Sequence, residues 1–197
     1  MADMKGTREL LGAGRTIPAS HTMAHHVDRA LLDTGTSAQV LDLALSTRAR
    51  ATKQPEPERW AAHLVGEKLE DVAHELHELH HEDDALAPMK GVYRVVGGAQ
   101  EMLADVRQAL MHDHPVAVGL LVGKDFLAAD GKKTLEPTDQ PEEERSYLVV
   151  GYDDQGRFEL VGPKGWGNGG SAWASGECLM RATYACVPVA AMPAPKQ

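Results

Sequence analysis

The chain has 197 residues, 43% of them hydrophobic, which is enough for one domain with a substantial core. Its 29 acidic and 20 basic residues give a formal net charge of -9, and no Lys/Arg cluster follows a helix face, which argues against a nucleic-acid partner. Cys178 and Cys186 are the only cysteines and have neither CxxC nor zinc-type spacing, so neither a disulfide framework nor a zinc cage is indicated.

The opening MADMKGTRELLGAG lacks the apolar core of a secretory signal, and no apolar run approaches the roughly 20 residues of a membrane span. A cytoplasmic protein with two reduced thiols is the expectation. A Gly/Pro-punctuated entry over Leu10 to Ala19 leads to Ser20, a good N-cap for a helix through HTMAHHVDRALLDTG. Met23, Ala24, Val27, Ala30 and Leu31 would form its apolar side. SAQVLDLALSTRAR, from Ser37 to Arg50, predicts a second helix, and KQPEPE a solvated connector. Trp60 to His81 predicts a third helix, with Leu69, Val72, Ala73, Leu76 and Leu79 as its buried stripe.

Further along, Gly91 to Val96 suits a short strand and Ala99 to His112 an amphipathic helix ended by His114-Pro115. PVAVGLLVG, a continuous apolar run, suits a strand buried on both faces. Lys124 to Arg145 is polar and is expected to be a surface loop. Tyr147 to Gly151 and Arg157 to Val161 predict a hairpin around DDQG, whose glycine suits a positive φ. A glycine-rich stretch follows from Gly162, and Thr183 to Val189 reads as the closing strand. Helices first and strands later indicate an α+β domain.

From about Gln100 to Val189 the order of elements resembles the papain family of cysteine peptidases, particularly its compact bacterial branch. The matching elements are the amphipathic helix, PVAVGLLV, Phe126 with a variable loop, SYLVVGYDD, FELVG, GWGNGGSAW and YACVPV. The resemblance implies a two-lobe fold, with a central helix of an N-terminal helical lobe (about 10–98) packed on a C-terminal antiparallel β-sheet or barrel lobe (about 99–190). A tail over 191–197 completes one papain-like domain, 1–197.

That family needs a cysteine thiolate opening its central helix, a histidine base, an asparagine that orients the base and a glutamine for the oxyanion. Matched residue by residue, the nucleophile falls on His21, the base on Ser146, the orienting asparagine on Gly162 and the glutamine on Arg15. A serine hydroxyl accepts no proton near neutral pH, and glycine has no side chain with which to orient one. The resemblance places Cys178 and Cys186 away from the cleft. The chain thus reads as a degenerate member, a pseudopeptidase whose former cleft, around His21, Ser146, Tyr147, Gly162 and Trp166, would bind a protein or peptide partner or a larger assembly. No cofactor is implied.

The ten histidines leave a second reading open, a divergent hydrolase or metal-dependent enzyme. His74, His77 and His81 share a helix face with Glu70 and Glu78, and His21, His25 and Asp28 have one-turn spacing, so imidazoles could share an ion. A solvated helix face and a cavity-filling His21 are the simpler accounts, because no ligand from another segment can be named. GPKGWGNGG lacks a terminating GK[ST], so it is no phosphate loop. Asp153-Asp154 reads as a turn, and the acidic Pro141 to Glu144 as a solvated cleft rim able to contact a partner.

Overall fold

A computed structural model of the chain describes residues 16–29, 37–53, 89–94 and 99–190. The expected helix over Trp60 to His81, with His74, His77 and His81, lies outside these residues, as does Arg15. Among the described residues no helix is long and apolar enough to cross a membrane.

The molecule combines helices with an antiparallel sheet, as the order of sequence patterns implies. Its elements are β1 (His21–Thr22), a 3-10 turn (Ala24–His26), α1 (Ser37–Thr52), β2 (Met89–Arg94), α2 (Ala99–Met111), β3 (Val116–Val122), α3 (Lys124–Leu127), β4 (Glu143–Tyr152), β5 (Arg157–Val161), β6 (Ser171–Ser175), α4 (Gly176–Met180) and β7 (Tyr184–Ala190). The strands form one sheet in the order β2-β7-β3-β4-β5-β6, with β1 added to the end of β4. Every pairing between named strands is antiparallel.

Helix α1 is the central helix and packs against β3, β4 and β7. Val40, Leu41, Leu43, Ala44, Leu45, Ser46, Thr47 and Ala49 are all buried, so nearly its whole circumference is covered. A helix with that burial belongs inside a domain. Strand β3 is the PVAVGLLV run, flanked by β4 and β7 and buried except at Leu121, which is half exposed.

Four expectations need correction. The helix starting after Ser20 does not form over 21–29. His21 and Thr22 instead pair with Tyr152 and Gly151, and the Met23 N–H donates to Val150 O at 2.7 Å. The end of β4 lies beyond the reach of β3, whose pairing stops at Val149, and its open backbone groups outcompete a local helix. Gly151 permits this, since a Cβ there would stand 2.8 Å from His21 O.

The polar stretch 124–145 is more ordered than a loop. It begins as α3, its Leu135 bridges to Ala174, and its last three residues belong to β4, which runs ten residues. The short strand before α2 is Met89–Arg94, displaced by two residues from its predicted place. The glycine-rich stretch conceals β6 and α4. In β6 only Ala172 and Ala174 point inward, a pattern too weakly apolar to announce a strand.

The DDQG hairpin is as the sequence implies. Gly156 has φ +80, and Asp153 Oδ1 accepts the N–H groups of Gln155 at 3.0 Å and Arg157 at 2.9 Å. Arg29 ties the N-terminal segment down from the other side. Its guanidinium donates to Gly169 O and, at 2.6 Å, to Ser171 Oγ.

Candidate functional site

Register places the predicted cleft residues on two faces of the sheet. Ser146 pairs with Gly119, and Gly119 pairs with Tyr184, so these three share one face. Ser146 is buried, and its Oγ lies 2.7 Å from Tyr184 Oη, where either hydroxyl can donate. The Tyr184 ring crosses above Gly119, and a Cβ at 119 would overlap it. The glycine that interrupts the apolar run is what lets the tyrosine reach the serine.

Tyr147 projects from the opposite face, as alternation requires. It packs on Trp166 at 4.8 Å and on Phe126 at 5.3 Å between ring centroids, and the Trp166 Nε1–H donates to Phe126 O at 2.7 Å. Burial pushes the Tyr147 hydroxyl well above its ordinary pKa. Gly162 sits under this cluster. A Cβ there would lie 2.5 Å from Trp166 Cε3 and 3.0 Å from Tyr147 Cε1. Tyr147, Gly162 and Trp166 therefore come together as packed aromatic core, with no room for a longer side chain at 162.

His21 does not join them. It stands opposite Tyr152, six residues along β4 from Ser146, or about 20 Å at the strand rise. The described residues of the central helix run Ser37–Thr52, and His21 lies in strand β1 rather than at the start of that helix. His25 and His26 lie in the 3-10 turn with ring centroids 3.9 Å apart, while Asp28 pairs with Arg50 at 2.7 Å. Among the described residues no three His, Cys, Asp or Glu side chains are grouped to hold a metal ion.

Both thiols are buried. Cys178 donates its S–H to Leu135 O at 3.3 Å, and burial raises its pKa to about 11. Burial alone raises Cys186 to about 12. The thiolate is the nucleophilic form, so neither offers one near neutral pH.

Sequence reasoning missed a polar cluster at the junction of α1 with the α2–β3 turn. His114 is buried, and its pKa falls to about 3 through burial, with the charges of Arg48 and His112 adding to the effect. Desolvation also lowers Arg48, against the attraction of Asp113. His114-Pro115 reads in sequence only as a helix stop.

Solved structures share this architecture. A digestive procathepsin L 3 from the larval midgut of Tenebrio molitor superposes with a TM-score of 0.62 at 16% identity, over 90% of this chain and 71% of that one. Xylellain, a cysteine protease from Xylella fastidiosa, gives 0.60 at 13% identity, over 94% of this chain and 90% of its own. A procathepsin L2 proteinase from the Tenebrio molitor midgut gives 0.60 at 18%, over 96% and 76%. The fold is papain-like. No family model and no curated protein matches the sequence. Papain-like architecture thus persists here at identities where only the fold is carried over.

Proposed function

We propose that this chain is a catalytically inactive papain-like domain that binds a protein or peptide partner. The observation carrying the reading is the packing at Gly162, where the family's orienting asparagine would stand. Trp166 and Tyr147 occupy the space that side chain needs. The neighbouring match supports it, because the Ser146 hydroxyl is engaged with Tyr184. The nucleophile is missing in either register of the N-terminal half. Both cysteines lie at 178 and 186, far along the chain from His21 and from the central helix α1.

A scaffold without catalysis can still recognise an extended chain. Leu121, 50% exposed, pairs with Glu144 on the face that carries Ser146 and Tyr184. An apolar side chain beside a carboxylate suits a peptide with apolar and basic residues. Incubation with generic peptide substrates and a thiol-directed active-site probe should give neither turnover nor labelling. Robust turnover lost on changing Ser37 or Ser146 would overturn the reading. Capture of basic-apolar peptides from an array should weaken in Leu121→Glu, and undiminished capture by that variant would count against this face.

A further inference from the structure

Asn168 is the only asparagine in the chain, and Gly169 and Gly170 follow it. Glycine is the successor that least obstructs attack by its own backbone nitrogen on the preceding side-chain amide. No Cβ stands in the way, and its backbone torsions turn freely. The structure puts this pair at the tip of a tight turn. Asn168 bridges to Ser171, its N–H donating to Ser171 O at 2.7 Å. Gly169 and Gly170 have φ +62 and +88, the positive pair that marks a type I′ turn.

Asn168 and Gly169 are exposed, so water reaches both. A Cβ on Gly169 would meet nothing within 4 Å, and among the described residues its N–H has no acceptor. Asn168 O is held only by the long bond of the turn, from the Ser171 N–H at 3.3 Å. The peptide joining 168 to 169 is therefore free to rotate toward the amide, with Gly169 φ absorbing the change. The other pair of this chemical kind, Asp130-Gly131, lies against it, since a Cβ on Gly131 would stand 2.5 Å from Asn168 Cβ. That pair is held inert. The Asp130 carboxylate accepts the Lys132 N–H at 2.9 Å and faces Lys132 Nζ at 3.8 Å, and an ionised carboxylate is a poor electrophile.

We infer that Asn168 is a self-modification site, converting to aspartate and isoaspartate, and that the conversion sets how firmly Arg29 holds the N-terminal segment. Gly169 N bonds to Asn168 Cγ, the Cγ–Nδ2 bond breaks, and the side-chain nitrogen leaves as ammonia with the proton that Gly169 N gives up. Water then opens the cyclic imide. Opening at Cγ gives aspartate on the original backbone. Opening at the α-carbonyl gives isoaspartate, whose backbone runs through Cβ and is one bond longer. The lengthened turn displaces Gly169 O and the Ser171 hydroxyl, the two acceptors of the Arg29 guanidinium. Aspartate leaves both in place. This chemistry is independent of peptide binding on the Ser146 face.

The test is ageing of the full chain in mildly alkaline buffer at body temperature, followed by mass spectrometry. The mass should rise by the exchange of one NH2 for OH. The tryptic peptide 165–181 should carry the change as two chromatographic products, one of them a substrate for protein isoaspartyl methyltransferase. Asn168→Gln should suppress the rise, and Asn168→Ser serves instead where that variant is misfolded by circular dichroism. Aged wild type should show faster amide exchange than fresh protein at Met23, whose N–H bonds Val150 O. Fresh Asn168→Asp should match fresh wild type. No rise in the folded chain under conditions where the urea-unfolded chain gains it, or an equal rise in Asn168→Gln, overturns the assignment. Unchanged exchange at Met23 after conversion to isoaspartate overturns the link to Arg29.

Discussion

Tyr184 reaches across Gly119 to place its hydroxyl 2.7 Å from that of Ser146, joining strands β7 and β4 over the strand between them. Tyr184→Phe and Ser146→Ala should each destabilise the protein by about 1–2 kcal/mol, with a double mutant costing less than the sum. Gly119→Ala should cost more, about 2–3 kcal/mol, because the new methyl meets the tyrosine ring. Urea unfolding of the four variants checks the order.

Restoring the family's asparagine should not restore a site. Gly162→Asn drives a side chain into Trp166 and Tyr147 and is expected to lower stability by about 2–3 kcal/mol. Combining it with Ser146→His should leave peptide turnover at background. Melting curves and a peptide assay on both variants decide the matter.

Acid should weaken the protein through His114. Its pKa falls from 6.5 unfolded to about 3 folded, so between those values the unfolded chain binds the extra proton. Stability is therefore complete above pH 6.5 and declines as pH falls toward 3, by up to ~4 kcal/mol from this residue. His114→Leu should flatten that part of the stability–pH curve relative to wild type, and equal slopes would refute the assignment.

Thiol reactivity should report unfolding and nothing else. With pKa values of about 11 and about 12, Cys178 and Cys186 are predicted to resist a disulfide reagent at pH 8 in the native state. Both should react once urea passes the unfolding midpoint. Fast labelling of either in the native protein would contradict the packing.

Gly151→Ala should dislodge β1. Its Cβ would press on His21 O, and the expected loss is about 1–3 kcal/mol, with faster amide exchange at Met23, whose N–H bonds Val150 O.

Strong local patterns were legible in the chain. PVAVGLLV is apolar without interruption and SYLVVGYDDQGRFEL carries its own turn, so β3 and the β4–β5 hairpin could be placed from sequence. The N-terminal segment misled for the opposite reason. Met23, Ala24 and Val27 have helical spacing, yet open backbone groups at the end of β4, 130 residues away, decide the conformation of His21 and Thr22. Strand β6 hid because only two alanines, Ala172 and Ala174, face inward, too weak an apolar alternation to mark a strand. At the candidate site, the identity of Ser146 and Gly162 was readable, but their surroundings were not. Neither Tyr184 crossing Gly119 nor Trp166 filling the space at Gly162 leaves a spacing signature.

Arg29 binds a carbonyl and a hydroxyl 140 and 142 residues further along the chain. Neither partner exists in its native place until β5, β6 and the loop between them have formed. Closing so long a loop is entropically expensive and slows whatever depends on it. The segment around Arg29 is thus among the last to settle, waiting on strands translated about 140 residues after it.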